Sequence, residues 1–127
     1  MGSIIKISCK KCGRSWDIKT GMGMTHALLE NCLDDFTSDV ADKIRKNFEG
    51  QEFPHYTFMY RAAICNKCGK VISVAQLEDL DTKQKYTAAC PGCGSYDVTI
   101  IDDKLSITKC PNCGHHGLTS ETSGLWD

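Results

Sequence analysis

The stretch CPGCGSYDVTIIDDKLSITKCPNCG, residues 90–114, decides the fold, because each of its ends carries two cysteines separated by two residues. The chain holds four such pairs, here called the first to fourth knuckles: Cys9/Cys12, Cys65/Cys68, Cys90/Cys93 and Cys110/Cys113. Glycine follows every pair. Two intervening residues let a tight turn direct both sulfurs at one ion, and the glycine accepts a positive φ there. The four knuckles therefore predict eight metal-ligating thiolates, enough for two tetrahedral sites.

We predict that both sites hold zinc, Zn(2+), and so two ions per chain. A disulfide framework would need an oxidising compartment, and it would leave Cys32, the ninth cysteine, unpaired. Iron is the less favoured metal, although CPGCG and CPNCG also suit a rubredoxin-type site and four sulfurs accommodate either ion. The iron alternative would make the protein a rubredoxin-like electron carrier.

The strands between the knuckles indicate which of them share an ion. Between the third and fourth knuckles, apolar residues alternate in two runs around Asp102 and Asp103: Val98 and Ile100, then Leu105 and Ile107. Such alternation predicts a β-hairpin, which would close one site from these two knuckles. The first and second knuckles would then form the other site. The alternative joins the second knuckle to the third, so that the two ends of the chain meet.

Residues 25–50, between the first and second knuckles, have helical periodicity. Their apolar residues recur at steps of three or four: Leu29, Leu33, Phe36, Val40, Ile44 and Phe48. Thr25 is a predicted N-cap and Gly50 a predicted stop, while Thr37 and Ser38 leave one bent helix and two consecutive helices both open. Cys32 lies beside the apolar stripe and is interpreted as core filling. Strand-rich sequence is expected on both sides of the second knuckle.

These elements predict an α+β fold built from zinc-ribbon modules with rubredoxin-like knuckles. Residues 1–84 would form an N-terminal zinc ribbon, interrupted by the helical insertion at about 25–50, and residues 85–127 a C-terminal zinc ribbon. The loop TGMGM, residues 20–24, is interpreted as the turn between ribbon and helix, with its methionines filling the gap. Anion binding by this loop, with Lys19 as the cation, is the alternative.

Catalytic motifs are not found in the sequence, and we predict that the protein is not an enzyme. The chain has no H-E-x-x-H helix, no G-x-S-x-G elbow and no Walker lysine. A complete four-thiolate set also leaves no coordination position for the water that a hydrolytic zinc needs. The four histidines are interpreted as surface residues: His26, His55, His115 and His116.

Charge is unevenly distributed along the chain. Residues 1–24 carry five basic side chains and one acidic one, whereas residues 25–60 carry three basic and seven acidic ones. Each occupied site adds four thiolates and a divalent ion, so two sites take the formal net charge from −1 to −5, which disfavours a general polyanion binder. A local nucleic-acid contact remains open, made by residues of the first knuckle: Lys10, Lys11, Arg14 and Trp16. In the competing interpretation the lysines are only solvated, and Trp16 packs on the helices.

No apolar run approaches the roughly 18 residues of a membrane span, and no signal peptide is recognised, so we expect a cytoplasmic protein without membrane contact. The segments ISCKKCGRSWDIKTGMGM and ICNKCGKVISV, with the later CPxCG knuckles, resemble a family of small, uncharacterised bacterial zinc-ribbon proteins. The resemblance implies a metal-dependent structure and no particular activity. We predict a zinc-stabilised binding or adaptor protein that contacts another protein, with a regulatory nucleic-acid-binding module as the alternative.

Overall fold

The computed structural model describes residues 2–126 and mixes strands with two short helices. The elements in chain order are β1 (Gly2–Ser8), β2 (Ser15–Thr20), α1 (Leu29–Cys32), α2 (Ser38–Asn47), β3 (Tyr56–Cys65), β4 (Val71–Asp79), β5 (Lys85–Thr87), β6 (Val98–Ile100) and β7 (Thr119–Trp126). Within this described part, no helix is both long and apolar enough to cross a bilayer. The predicted mixture of helices and strands is confirmed, and strands dominate it.

The strands form two antiparallel sheets, ordered β2-β1-β7 and β5-β4-β3-β6. The hairpin β1–β2 carries the first knuckle at its tip, and the hairpin β3–β4 carries the second, in line with the strand-rich sequence there. The free edge of β1 pairs with β7, from Gly2 opposite Trp126 to Ser8 opposite Thr119. The two ends of the chain therefore lie side by side in the three-stranded sheet.

Gly21 joins the two sheets. Its φ is +84°, its N–H donates to the Tyr60 carbonyl at 3.0 Å, and it accepts from the Tyr60 N–H at 2.7 Å. The predicted turn is thus confirmed, but the predicted gap-filling role of Met22 and Met24 is wrong, because both side chains are exposed. Aromatic side chains occupy this junction instead, and the Trp126 indole N–H donates to the Thr20 carbonyl at 2.9 Å.

The helical insertion covers one face of the four-stranded sheet. Its predicted apolar stripe packs on Phe58 and Leu77, and the fully buried Cys32 lies in the same cluster, as predicted. Alternate residues of β3 and β4 face the opposite side and pack around the second knuckle. The insertion forms two helices rather than one bent helix, and α2 begins directly after Thr37.

The predicted N-cap at Thr25 is wrong. A 3₁₀ turn occupies Met24–Ala27, and α1 begins only at Leu29. The N–H of Gly23 donates to the Nδ1 atom of His26 at 2.9 Å, so a histidine rather than a threonine satisfies the start of this turn.

The predicted hairpin between the third and fourth knuckles is also wrong. Its first run forms β6, which pairs with β3 through Val98 opposite Cys65 and Ile100 opposite Ala63. Its second run, Leu105–Ile107, is a 3₁₀ turn. The open edge of β3 supplies a longer and more deeply buried partner for β6 than the second run does, so the first run joins the larger sheet.

Candidate metal centres

The eight knuckle cysteines form two clusters, and in each cluster all four sulfurs lie within 4.8 Å of one another. The first knuckle meets the fourth, and the second meets the third. The predicted pairing of first with second and third with fourth is therefore wrong, and the alternative in which the chain ends meet is the one observed. Its physical cause is the pairing of β1 with β7, which brings the fourth knuckle, just before β7, to the first knuckle, just after β1.

The sulfur separations fit a tetrahedral ion. In the first cluster, Cys9 Sγ lies 3.6 Å from Cys113 Sγ, and Cys12 Sγ lies 3.9 Å from Cys110 Sγ. In the second cluster the corresponding separations, Cys65 to Cys93 and Cys68 to Cys90, are 3.5 and 3.8 Å. Four sulfurs at a zinc–sulfur distance of about 2.3 Å in tetrahedral geometry would stand about 3.8 Å apart, whereas a disulfide requires about 2.05 Å. Each cluster can therefore hold one metal ion through four sulfurs.

All four knuckles share one backbone conformation. In each, the N–H of the glycine after the pair donates to the carbonyl of the first cysteine at 2.8–2.9 Å. These glycines have φ between +72° and +81°, a region that other residues adopt only with strain, so their predicted role is confirmed. The first cysteine of each pair is buried, and the second is exposed. Each cluster thus has a buried side within the core and an exposed side at the surface.

Neighbouring groups shift the thiol pKa values in opposite directions. A hydrogen bond from the Asn112 side chain lowers the pKa of Cys12 to about 6, and the Cys68 N–H, 3.4 Å from Cys65 Sγ, lowers the pKa of Cys65 to about 6. The pKa values of Cys68 and Cys113 rise to about 11. For Cys68 the main cause is a hydrogen bond with the sulfur of Cys65 in the same knuckle. For Cys113 a backbone hydrogen bond at His115 lowers the pKa, but burial and the hydrogen bond with Cys9 together raise it. Closely packed sulfurs thus cannot all ionise alone, and a bound cation would replace the shared protons.

Both clusters join the predicted N-terminal and C-terminal modules. Each takes one knuckle from residues 1–84 and one from residues 85–127. The first cluster packs on Ile7, Ile101 and Leu118, beneath the three-stranded sheet. The second packs on Ile72 and Val74, under the four-stranded sheet. The metal sites therefore link distant parts of the chain.

The basic residues in and beside the first knuckle are exposed to solvent. Lys10, Lys11 and Arg14 are exposed, and the Arg14 guanidinium carbon lies 5.8 Å from the centre of the Trp16 ring. Trp16 is partly buried against the core cluster that contains Ile7. The expectation that Trp16 packs on the helices is wrong, because β2 places it against a core cluster that contains no residue of α1 or α2.

The structure also places the four histidines and Lys19, for which the sequence led to separate predictions. His55, His115 and His116 are exposed, but His26 is only 5% exposed and stacks on Phe58 at 4.2 Å between ring centres, so its surface assignment is wrong. Burial lowers its pKa. Lys19 Nζ lies 3.9 Å from the centre of the Trp126 ring, and this cation–π contact directs it to the aromatic junction.

Sequence reasoning missed two surface features that arise only in the folded chain. One is an apolar groove beside α1, at which Leu28 and Phe53 are exposed, and the other is a cleft between the clusters, lined in part by Lys104 and Lys109. The available signal for the second feature was the pair of lysines, Lys104 and Lys109, that precedes the fourth knuckle. No protein-family model, curated protein or solved structure matches the chain. The resemblance to bacterial zinc-ribbon proteins stays a prediction.

Proposed function

We propose that this protein is a zinc-stabilised adaptor, without enzymatic activity, that binds another protein through the groove beside α1. The observation that carries this proposal is the groove itself, an apolar surface with an acidic rim on the helical insertion. In this proposal the zinc ions are structural, since four thiolates fill a tetrahedral site and leave no position for substrate. The zinc-ribbon character of the two sites and a reducing, cytoplasmic setting for their thiols belong to the same proposal.

The groove has a volume of about 540 Å³, in the range of specific binding pockets. Apolar side chains form most of its lining, chiefly Leu28, Leu29, Phe53 and Tyr56. Leu28 and Phe53 are 67% and 79% exposed, an unusual state for large apolar side chains that lie beside each other on a surface. Such a surface loses unfavourable contact with water when a partner covers it.

Charge identifies the chemistry of the partner. Glu30 and Glu52 line the groove, and no basic side chain does so among the residues described. Arg45, outside the lining, pairs with Glu30 at 3.2 Å, so Glu52 contributes more of the negative charge of the rim. The surrounding residues 25–60 have seven acidic and three basic side chains. A basic segment with apolar anchors fits this combination, because its leucine-like side chains would enter the groove and its lysines or arginines would face the rim.

A pair of designed peptides tests the groove. Fluorescence anisotropy would compare a short amphipathic lysine–leucine peptide with a glutamate–leucine peptide of the same pattern, both added to metal-loaded protein. We expect the basic peptide to bind, and Phe53→Ser to weaken its binding at least tenfold. Leu125→Ser is the matched control, because Leu125 is 64% exposed and does not line the groove. Equal binding of both peptides, or equal affinity in the Phe53→Ser and Leu125→Ser variants, would refute the proposed groove.

Metal analysis tests the structural role of zinc separately. We expect two zinc ions per chain and a colourless protein, whereas iron held by the same thiolates would give a red one and favour electron transfer. A strong chelator, or Cys90→Ser, should collapse the dispersed amide spectrum around the second cluster, because a structural site contributes around 10–16 kcal/mol of apparent binding energy. A spectrum that stays dispersed without metal would show that zinc does not hold the fold.

Nucleic-acid binding is a second candidate, supported by the meeting of the first and fourth knuckles at one cluster. Lys10, Lys11 and Arg14 lie within or beside the first knuckle, and Lys109 immediately precedes the fourth. Because these two knuckles meet at one cluster, the fold brings together basic residues that are far apart in the sequence. Mobility-shift assays at low salt should then show binding to single-stranded or duplex probes, weakened in Lys10→Gln/Lys11→Gln. Lys43→Gln/Lys46→Gln, on the exposed face of α2, is the matched control. No shift at low salt would exclude this candidate.

A further inference from the structure

A second cleft lies between the two cysteine clusters, on a different part of the surface from the groove beside α1. Its volume is about 540 Å³, and its apolar floor includes Ile64, Ile101 and Ile107. Asn66, inside the second knuckle, lines one side, and Cys110 and Gly114 of the fourth knuckle line another. Residues of two knuckles that belong to different clusters thus both contribute to the wall.

The local structure fixes the walls of the cleft. The Asn66 amide donates to Asp97 Oδ1 at 2.9 Å and to Thr99 Oγ1 at 3.0 Å. On the other side, Thr108 Oγ1 donates to the Lys104 carbonyl at 2.7 Å and holds the 3₁₀ turn. Walls held by such hydrogen bonds keep their shape without a ligand, which lowers the entropic cost of binding one.

The charged residues that line this cleft are all basic. Lys104 and Lys109 line it, and no acidic side chain does so among the residues described. The Lys109 Cε lies 3.3 Å from where a Cβ on Gly114 would stand, so the lysine stem runs along the fourth knuckle. The nearby Asp102 carboxylate is engaged by Arg61, with oxygen–nitrogen distances of 2.6 and 3.0 Å. It therefore does not neutralise the two lysines.

A metal-loaded first cluster would carry a net charge of about −2 from its four thiolates and one divalent ion. Other cations stand at that cluster, because Lys10, Lys11 and Arg14 belong to the facing first knuckle and its flank. Lys104 and Lys109 are therefore not the only cations near this cluster.

We propose that this cleft binds a small organic anion with an apolar body. The carboxylate or phosphate head group would accept hydrogen bonds from the ammonium groups of Lys104 and Lys109, and the body would lie on Ile64 and Ile107. A purely apolar ligand would leave two ammonium groups beside it without compensation, and a cationic ligand would be repelled. The proposed ligand therefore needs both parts.

Four probes of matched chain length test this proposal by amide NMR titration of the metal-loaded protein: octanoate, octyl phosphate, octanol and octyltrimethylammonium. We expect the anions to shift the amides of Thr99, Ile101, Lys104 and Thr108, with octanol at least tenfold weaker and the cation without effect. The tighter of the two anions identifies the head group. Lys104→Gln/Lys109→Gln should weaken anion binding at least tenfold, whereas the control Lys43→Gln/Lys46→Gln should leave it unchanged.

Several outcomes would overturn the proposal. Octanol binding as tightly as octanoate would mean that the lysines play no part, as would an unchanged affinity in Lys104→Gln/Lys109→Gln with a preserved spectrum. Shifts confined to Leu28 and Phe53 would place the probes in the other groove. If a short single-stranded oligonucleotide produced the cleft shifts and neither small anion did, the cleft would belong to a nucleic-acid surface instead.

Discussion

The pairing of the knuckles predicts opposite outcomes for two double variants that each lose two thiolates. In Cys9→Ser/Cys113→Ser both substitutions fall in the first cluster, where the two sulfurs stand 3.6 Å apart. In Cys9→Ser/Cys65→Ser one substitution falls in each cluster. The first variant should therefore keep one intact site, and the second should keep none.

The size of the loss in metal affinity follows from the number of thiolates that bind each ion, which is four. A structural zinc site contributes about 10–16 kcal/mol of apparent binding energy, so one of four thiolates carries about 2.5–4 kcal/mol if they share equally. Losing one thiolate then weakens affinity by about 10²–10³-fold, and losing two from the same site by about 10⁴–10⁶-fold. A chelator whose affinity for zinc lies between that of an intact site and that of a three-thiolate site removes zinc from every damaged site and leaves it in an intact one.

The assay is the metal content of each variant after dialysis against that chelator, measured by elemental analysis and native mass spectrometry. We expect one ion per chain in Cys9→Ser/Cys113→Ser, none in Cys9→Ser/Cys65→Ser, and two in the control Cys32→Ser, which changes the one cysteine outside both clusters. The reverse result for the two double variants would refute the observed pairing and restore the sequential one.

Three further predictions follow from buried polar groups. Burial raises the pKa of Cys32 to about 11, so its alkylation at pH 8 should run about 10²-fold slower than that of an ordinary thiol, as followed by mass spectrometry of metal-loaded protein. Burial lowers the pKa of His26 below 6.5, so the unfolded chain takes up this proton first. The free energy of unfolding should therefore be unaffected by His26 above pH 6.5 and should fall by up to about 1.4 kcal/mol per pH unit below it. Urea titrations at several pH values should find this slope in the unsubstituted protein and not in His26→Gln. Asp102→Asn should lower the free energy of unfolding in urea by about 1.5–3 kcal/mol, because it breaks a two-pronged, partly buried ion pair with Arg61, while the exposed Asp103→Asn should change it by less than about 0.5 kcal/mol.

Each of these three predictions has an outcome that contradicts it. Alkylation of Cys32 at the rate of an exposed thiol would mean that the helices do not shield it. A pH slope that survives His26→Gln would belong to other groups, such as the cysteine clusters. Equal effects of the Asp102 and Asp103 substitutions would remove the energetic distinction between the paired and the exposed carboxylate.

Features that depend only on neighbouring residues could be predicted from the sequence. The two-residue spacing and the following glycine concern only neighbouring residues, and all four knuckle glycines have the expected positive φ. The apolar stripe of the insertion and the strands around the second knuckle were equally local, and the structure has them where they were predicted. These features depend on backbone geometry within a few residues, which the sequence specifies directly.

Features that depend on distant partners were not readable. The three-residue strand β6 had a local partner in the sequence, but it pairs with β3. His26 looked isolated, although it lies against Phe58 and Tyr60, more than 30 positions away. In both cases the deciding contact is tertiary, and tertiary contacts override local preference.

The observed pairing of the knuckles costs only slightly more loop-closure entropy than the sequential pairing, although it joins residues that are farther apart in the sequence. The sequential pairing would close separations of 53 and 17 positions, whereas the observed one closes separations of 98 and 22. Loop-closure entropy grows only with the logarithm of length, so the observed pairing costs about 0.8 kcal/mol more. One net backbone hydrogen bond contributes about 0.5–1.5 kcal/mol, and β1 pairs with β7 over seven positions. Strand pairing at the chain ends therefore outweighs proximity in sequence, and it selects which knuckles share an ion.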